Sequence, residues 1–103
     1  MPRLAHHVFF QLHEPTDANV QKLVDSCKKY LADHDGVVDF SVGRREPGLD
    51  RPVNDANYDV SLHVIFSDRA SHDVYQAAPR HLEFIALEKP TWKSVRVFDS
   101  NLE

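Results

Sequence analysis

Between residues 58 and 66 the chain alternates strictly. Tyr58, Val60, Leu62, Val64 and Phe66 fall on one side, and Asp59, Ser61, His63 and Ile65 on the other. A period of two over that length fits a β-strand with one dry face, not a helix. Such a strand is not stable alone. It needs neighbouring strands and a cover over its apolar side, and the rest of the chain must supply both.

Partners are legible on either side of it. In residues 4–12, His6, Val8, Phe10 and Leu12 alternate with His7, Phe9 and Gln11. Residues 37–45 set Val38, Phe40 and Val42 against Asp39 and Ser41, and residues 92–98 form a last strand. The cover comes from helical spacing. Val20, Leu23, Val24, Cys27 and Leu31 recur at steps of three and four behind Pro15-Thr16-Asp17, where Thr16 or Asp17 offers the capping oxygen. Gly36 suits the left-handed end of that helix. Ser67-Asp68 caps a second helix that runs through Ala78, where Pro79 interrupts it. A short helix over 80–87 follows and Pro90 ends it. Residues 47–57, rich in Pro, Asn and Asp, read as an irregular loop, long for a hairpin and a candidate flap.

Strand, helix, strand, strand, helix, strand is the split βαβ order. It predicts an α+β, ferredoxin-like βαββαβ fold, a four-stranded antiparallel sheet with its helices on one side. The uncovered face then carries Phe9, Ile65 and Phe98 among Asp59, Ser61, His63 and Arg96. That face is too apolar for water and too polar for a dry core. A homodimer packed sheet face to sheet face, closing a dimeric α/β barrel, satisfies both sets of groups. A monomer with scattered surface apolar residues is the alternative.

The 103 residues are expected to form a single domain, 1–103, with a core that needs no staples. Twelve Lys and Arg against 16 Asp and Glu leave a formal charge of -4, so a nucleic-acid footprint is not expected. No apolar run reaches the roughly 20 residues that cross a bilayer, and the opening residues lack an apolar leader core. The single Cys27 excludes an internal disulfide. A reduced, cytoplasmic setting is the expectation. No metal-ligand spacing and no glycine-rich cradle is evident, so neither a metal nor a cofactor is expected.

Seven histidines stand out. His6 lies on the apolar face of the first strand, where an imidazole needs a hydrogen-bond partner or a polar pocket. A satisfied core histidine and a functional one are both open. Tyr75 and His81 flank Pro79, and His81 falls in the first turn of the next helix. The positive helix end and apolar neighbours disfavour imidazolium there. A neutral imidazole accepts a proton and a phenol hydrogen-bonds a developing oxyanion, which is the equipment for chemistry beside a carbonyl. The alternative is a Tyr–His hydrogen bond that ties two helices together. Trp92 reads as a core plug or a pocket wall, and Cys27 as inert packing.

His6-x-Val8-x-Phe10-x-Leu12, the strand at 58–66, Tyr75, Pro79 and His81, and Val95-Arg96-Val97-Phe98-Asp99 together resemble the stress-responsive A/B barrel (Dabb) family. The resemblance spans essentially the whole chain and implies the same ferredoxin-like fold with sheet-to-sheet homodimers. Similarity to the family's plant polyketide cyclases implies a cofactor-free, aldol-type cyclisation. Tyr75 and His81 would be its catalytic pair, with His6 and Asp99 as supporting polar groups. The implied cavity lies between sheet and helices, lined by Val8, Phe10, Val60, Leu62, Trp92, Val95 and Val97, and the loop at 47–57 is expected to gate it. The ligand class would be a small apolar or carbonyl compound. One departure is Ala78, which stands where the family often places a histidine before the proline. The resemblance also leaves room for a non-catalytic stress-associated dimer, or for a cofactor-free monooxygenase.

Overall fold

The alternating segment lies inside a sheet, paired on both edges. The computed structural model describes residues 2–103 and runs β1 (Arg3–Leu12), α1 (Asp17–Leu31), β2 (Val37–Arg44), β3 (Val60–Phe66), α2 (Arg69–Ala77), α3 (Pro79–Glu88) and β4 (Trp92–Leu102). A short 3-10 turn, Lys89–Thr91, joins α3 to β4. The spatial order is β2-β3-β1-β4, with every pairing antiparallel. This is the ferredoxin-like βαββαβ arrangement. None of the described helices is long and apolar enough to cross a membrane.

The helices pack on the sheet face that carries Val8, Phe10, Leu62 and Val64. Thr16 caps α1, its hydroxyl oxygen accepting from the Asn19 amide at 3.2 Å, and Val20, Leu23, Val24, Cys27 and Leu31 are all buried beneath. Each fully buried Leu or Val stabilises by roughly 1.5–3 kcal/mol, so this stripe rather than intrinsic propensity holds α1 in place. Cys27 is completely buried, and burial, reinforced by the charge of Glu88, pushes its thiol up to about 12. It is packing. Asp68 caps α2 through the Ser71 amide at 2.8 Å. Pro79 occupies the first turn of α3, and Ala78 is extended between the two helices. Gly36 meets α2 here. Its φ of +83° is left-handed, and an added Cβ would stand 2.3 Å from the Ser71 Cβ.

Four local expectations are corrected. β3 begins at Val60 rather than Tyr58, and Tyr58 crosses to the other face to pack edge-on against Phe9, ring centroids 5.1 Å apart. The cause is Asp59, whose side chain turns in to accept from the Leu12 amide at 2.8 Å. In β2 a register shift between Val37 and Asp39 puts Val37, Phe40 and Val42 on the core side and leaves Val38 exposed. β4 continues to Leu102, because the first half of β1 offers a ladder as far as Arg3. The loop at 47–57 is no flap over the helical side, since Asp55 is tied to Arg96 at 2.6 Å and Arg96 stands opposite Phe9 on the other face.

That other face holds Phe9 against Phe98, ring centroids 5.8 Å apart, and a His7–His63 contact at 2.9 Å between Nδ1 atoms. Phe98 is 51% exposed, an unusual position for a phenylalanine with aromatic company.

Candidate active site

Between the sheet and α2–α3 lies a cavity of about 160 Å³. β1 contributes His6, Val8 and Phe10; β3 contributes Leu62; β4 contributes Trp92, Val95 and Val97. Tyr75 and Gln76 come from α2, and His81, Phe84 and Ile85 from α3. Val60 is the one expected lining residue that is absent. It is fully buried and pairs with Phe10 and Arg44, on the side away from β4 over which the cavity opens. No residue of the loop at 47–57 reaches the lining. A larger opening of about 370 Å³ lies beyond Leu12, among His13, Glu14, Asn19, Lys22 and Glu88. It gathers no tyrosine–histidine pair and no buried unpartnered donor.

The break at Pro79 turns α3 so that the His81 ring lies 4.6 Å from the Tyr75 ring, centroid to centroid. His81 Nδ1 is 3.1 Å from the carbonyl oxygen of Gln76. A carbonyl only accepts, so Nδ1 carries the proton and Nε2 keeps its lone pair. Burial is the main cause that lowers the His81 pKa. The Gln76 carbonyl opposes it, and His6, His34 and His72 add to the lowering. The imidazole is a neutral acceptor.

Tyr75 is 1% exposed, and its ring is enclosed by Phe66, His34 and His81 at centroid distances of 5.0, 4.9 and 4.6 Å. Its hydroxyl has no hydrogen-bond partner among the described residues, and neither does the Trp92 indole nitrogen. The expected alternative of a Tyr75–His81 hydrogen bond is therefore not what the structure contains. An orphaned buried polar group costs about 1–3 kcal/mol, and here two of them, a hydroxyl and an indole N–H, belong to residues that line one cavity. Burial pushes the Tyr75 phenol above its ordinary pKa, which keeps the hydroxyl protonated as a donor.

His6 is no simple core histidine. β1 and β4 place it opposite Asp99, and its Nδ1 lies 2.5 Å from Asp99 Oδ1. Burial lowers the His6 pKa, while the Asp99 hydrogen bond and charge pull the other way. Asp99 itself does not line the cavity and acts on it through His6.

His72 was not among the expected residues. Its ring lies 5.1 Å from that of His6 and 5.5 Å from that of Phe66. Its Nδ1 is 3.1 Å from Asp73 Oδ1. The signal was present in the sequence: three residues before Tyr75 on one helix, His72 shares its face. Leu31, Gln76, Phe84 and Ile85 also line the cavity unforeseen.

The sequence model of one family, described as Stress responsive A/B Barrel Domain, matches residues 4–102. A ferredoxin-like Dabb family protein from Mesorhizobium loti superposes with a TM-score of 0.81 at 23% identity, covering 100% of this chain and 99% of that one. A dimeric ferredoxin-like protein of unknown function from Thermobifida fusca gives 0.79 at 18% identity, covering 98% and 92%. A hydroxynitrile lyase from Passiflora edulis gives 0.80 at 12% identity, covering 99% and 94%. No curated protein matches the chain.

Proposed function

We propose that this chain, which belongs to the stress-responsive A/B barrel family, binds a small, largely apolar carbonyl compound and moves a proton beside its carbonyl group. His81 Nε2 takes the proton from the carbon next to the carbonyl. The Tyr75 hydroxyl donates a hydrogen bond to the carbonyl oxygen as it gains charge, and His6, held by Asp99, supplies a second polar contact. The resulting carbanion equivalent attacks a second carbonyl of the same molecule, whose π bond opens to an alkoxide that takes the proton back from His81, or is itself reprotonated by His81. The first outcome is an aldol-type cyclisation of the kind that the likeness to the plant polyketide cyclases suggests. No step calls for a cofactor.

The observation that carries this reading is the unpartnered buried hydroxyl of Tyr75, a residue that lines a mostly apolar cavity together with His81. The volume bounds the ligand. About 160 Å³ is roughly five times a water molecule's share of the liquid and well under the roughly 300 Å³ where drug-sized sites begin. The hydroxynitrile lyase among the structural neighbours supports the idea that this fold accommodates enzymes, though fold alone assigns no reaction.

The same reading includes a homodimer through the sheet faces. It is supported by the half-exposed Phe98 and its contact with Phe9, and by a structural neighbour described as dimeric.

Trp92 is the only tryptophan and lines the cavity, which makes its fluorescence the direct test of binding. Titration with small β-diketones and phenolic ketones is expected to change its emission saturably for at least one of them, and Tyr75→Phe is expected to weaken that response. A flat response across such a panel would remove the ligand site.

A further inference from the structure

We propose that His6, His72 and Asp99 form a binding site for one divalent transition-metal ion of the zinc class, at the His6 end of the cavity. β1 and β4 hold His6 and Asp99 opposite each other in register, and α2 brings His72 over them. One donor atom from each, two ring nitrogens and a carboxylate oxygen, lies within 4.8 Å of the others. Bonds of about 2.0–2.2 Å to such ligands place donors roughly 3–3.5 Å apart, so Asp99 Oδ1, 2.5 Å from His6 Nδ1 in a hydrogen bond that the ion replaces, must shift by about 0.5–1 Å to share the ion with the two rings. Asp99 can make that shift, because its side chain is 43% exposed and sits on an edge strand.

A second feature singles the cluster out. His72 Nδ1 is 3.1 Å from the Asp73 carboxylate, behind the ring. A carboxylate there fixes the tautomer and leaves Nε2 free, which is how metal-ligating histidines are commonly oriented. Among the described residues, the side-chain hydrogen-bond partner at Nε2 is the Gln76 amide nitrogen at 3.4 Å, long enough for a cation to displace it. Two imidazoles and one carboxylate suit zinc, cobalt, nickel or iron rather than magnesium or calcium. Three protein ligands leave at least one coordination position open. His6 is also a cavity wall, so that position adjoins the space beside Tyr75. The site shares His6 and Asp99 with the acid–base reading but not its reacting pair, because neither Tyr75 nor His81 is a ligand.

The test uses the full chain without a histidine tag. Zinc is titrated by calorimetry, and cobalt by its visible absorption, into wild type, H72A, D99N, D73N and H81A at neutral pH. One equivalent per chain is expected, weakened at least tenfold in H72A and in D99N, weakened to a lesser degree in D73N, and retained in H81A. Circular dichroism confirms that each variant is folded, and D99N preserves the side-chain shape should H72A not fold. Failure of the wild type to bind, or equal binding by wild type and D99N, overturns the proposal. Loss of binding only when His7 and His63 are replaced together also overturns it, because that places the ion on the other face. Each of these results leaves the carbonyl-binding proposal standing.

Discussion

The Nδ1 atom of His81 lies 3.1 Å from the carbonyl oxygen of Gln76, across the proline that separates α2 from α3. That contact sets the ring's tautomer, and with it which nitrogen is a base. A histidine in the first turn of a helix has no backbone carbonyl of its own helix behind it to bond. The break at Pro79 supplies one from the preceding helix.

Tyr75→Phe separates stability from function. It removes a buried hydroxyl that has no partner among the described residues. The variant is expected to be as stable as wild type or up to about 1 kcal/mol more stable, because an unsatisfied group is deleted rather than created. Proton-transfer activity is expected to fall by roughly 100-fold or more, in line with loss of an oxyanion donor. Thermal denaturation and a rate assay check the two halves.

Acid should act on both activity and stability. The pKa of His81 and that of His6 lie below the ordinary value of 6.5, chiefly through burial. The unfolded chain therefore takes up protons first as the pH falls, so stability is complete above about 6.5 and declines through the window below it. Activity is expected to be level near neutrality and to fall along an acidic limb centred below 6.5. Urea unfolding and rates between pH 4.5 and 8 check this, and an acidic limb centred above 6.5 would contradict it.

Gly36→Ala is expected to be costly. The left-handed φ of +83° carries about 1–2 kcal/mol for a residue with a Cβ, and the Cβ would also collide with Ser71. Equilibrium unfolding should show a loss beyond about 2 kcal/mol. Pairing it with Ser71→Gly should recover the collision and leave the backbone part.

Phe98→Glu is expected to yield a monomer. Phe98 is half-exposed against Phe9, beside the His7–His63 pair, and a carboxylate there would be desolvated in a sheet-to-sheet interface. Light scattering at micromolar concentration should give a dimer mass for wild type and a monomer mass for the variant.

Legibility followed the strength of local patterning. Alternation in β1 and β3 and the stripe on α1 are dictated by one buried face, and the structure keeps them. Tyr58 and Val38 departed because a single polar side chain or a bulge flips a strand's two faces, and neither leaves a periodic mark. The extension of β4 through Asp99, Ser100 and Asn101 has no apolar signal, since the ladder with β1 alone holds it. Tyr75 and His81 are close because Pro79 marks the turn between their helices. The sequence marks His72 only as sharing a helix face with Tyr75; its partners His6 and Asp99 lie on strands near opposite ends of the chain, and the fold alone brings the three together.

The most direct measurement is proton exchange beside a carbonyl. A small β-diketone that perturbs Trp92 fluorescence is incubated in deuterium oxide with wild type, Tyr75→Phe and His81→Ala, and deuterium uptake is followed by nuclear magnetic resonance. Uptake accelerated by wild type and reduced to the buffer rate by His81→Ala is the predicted result. Equal uptake with wild type and His81→Ala would contradict the role of that ring as the base.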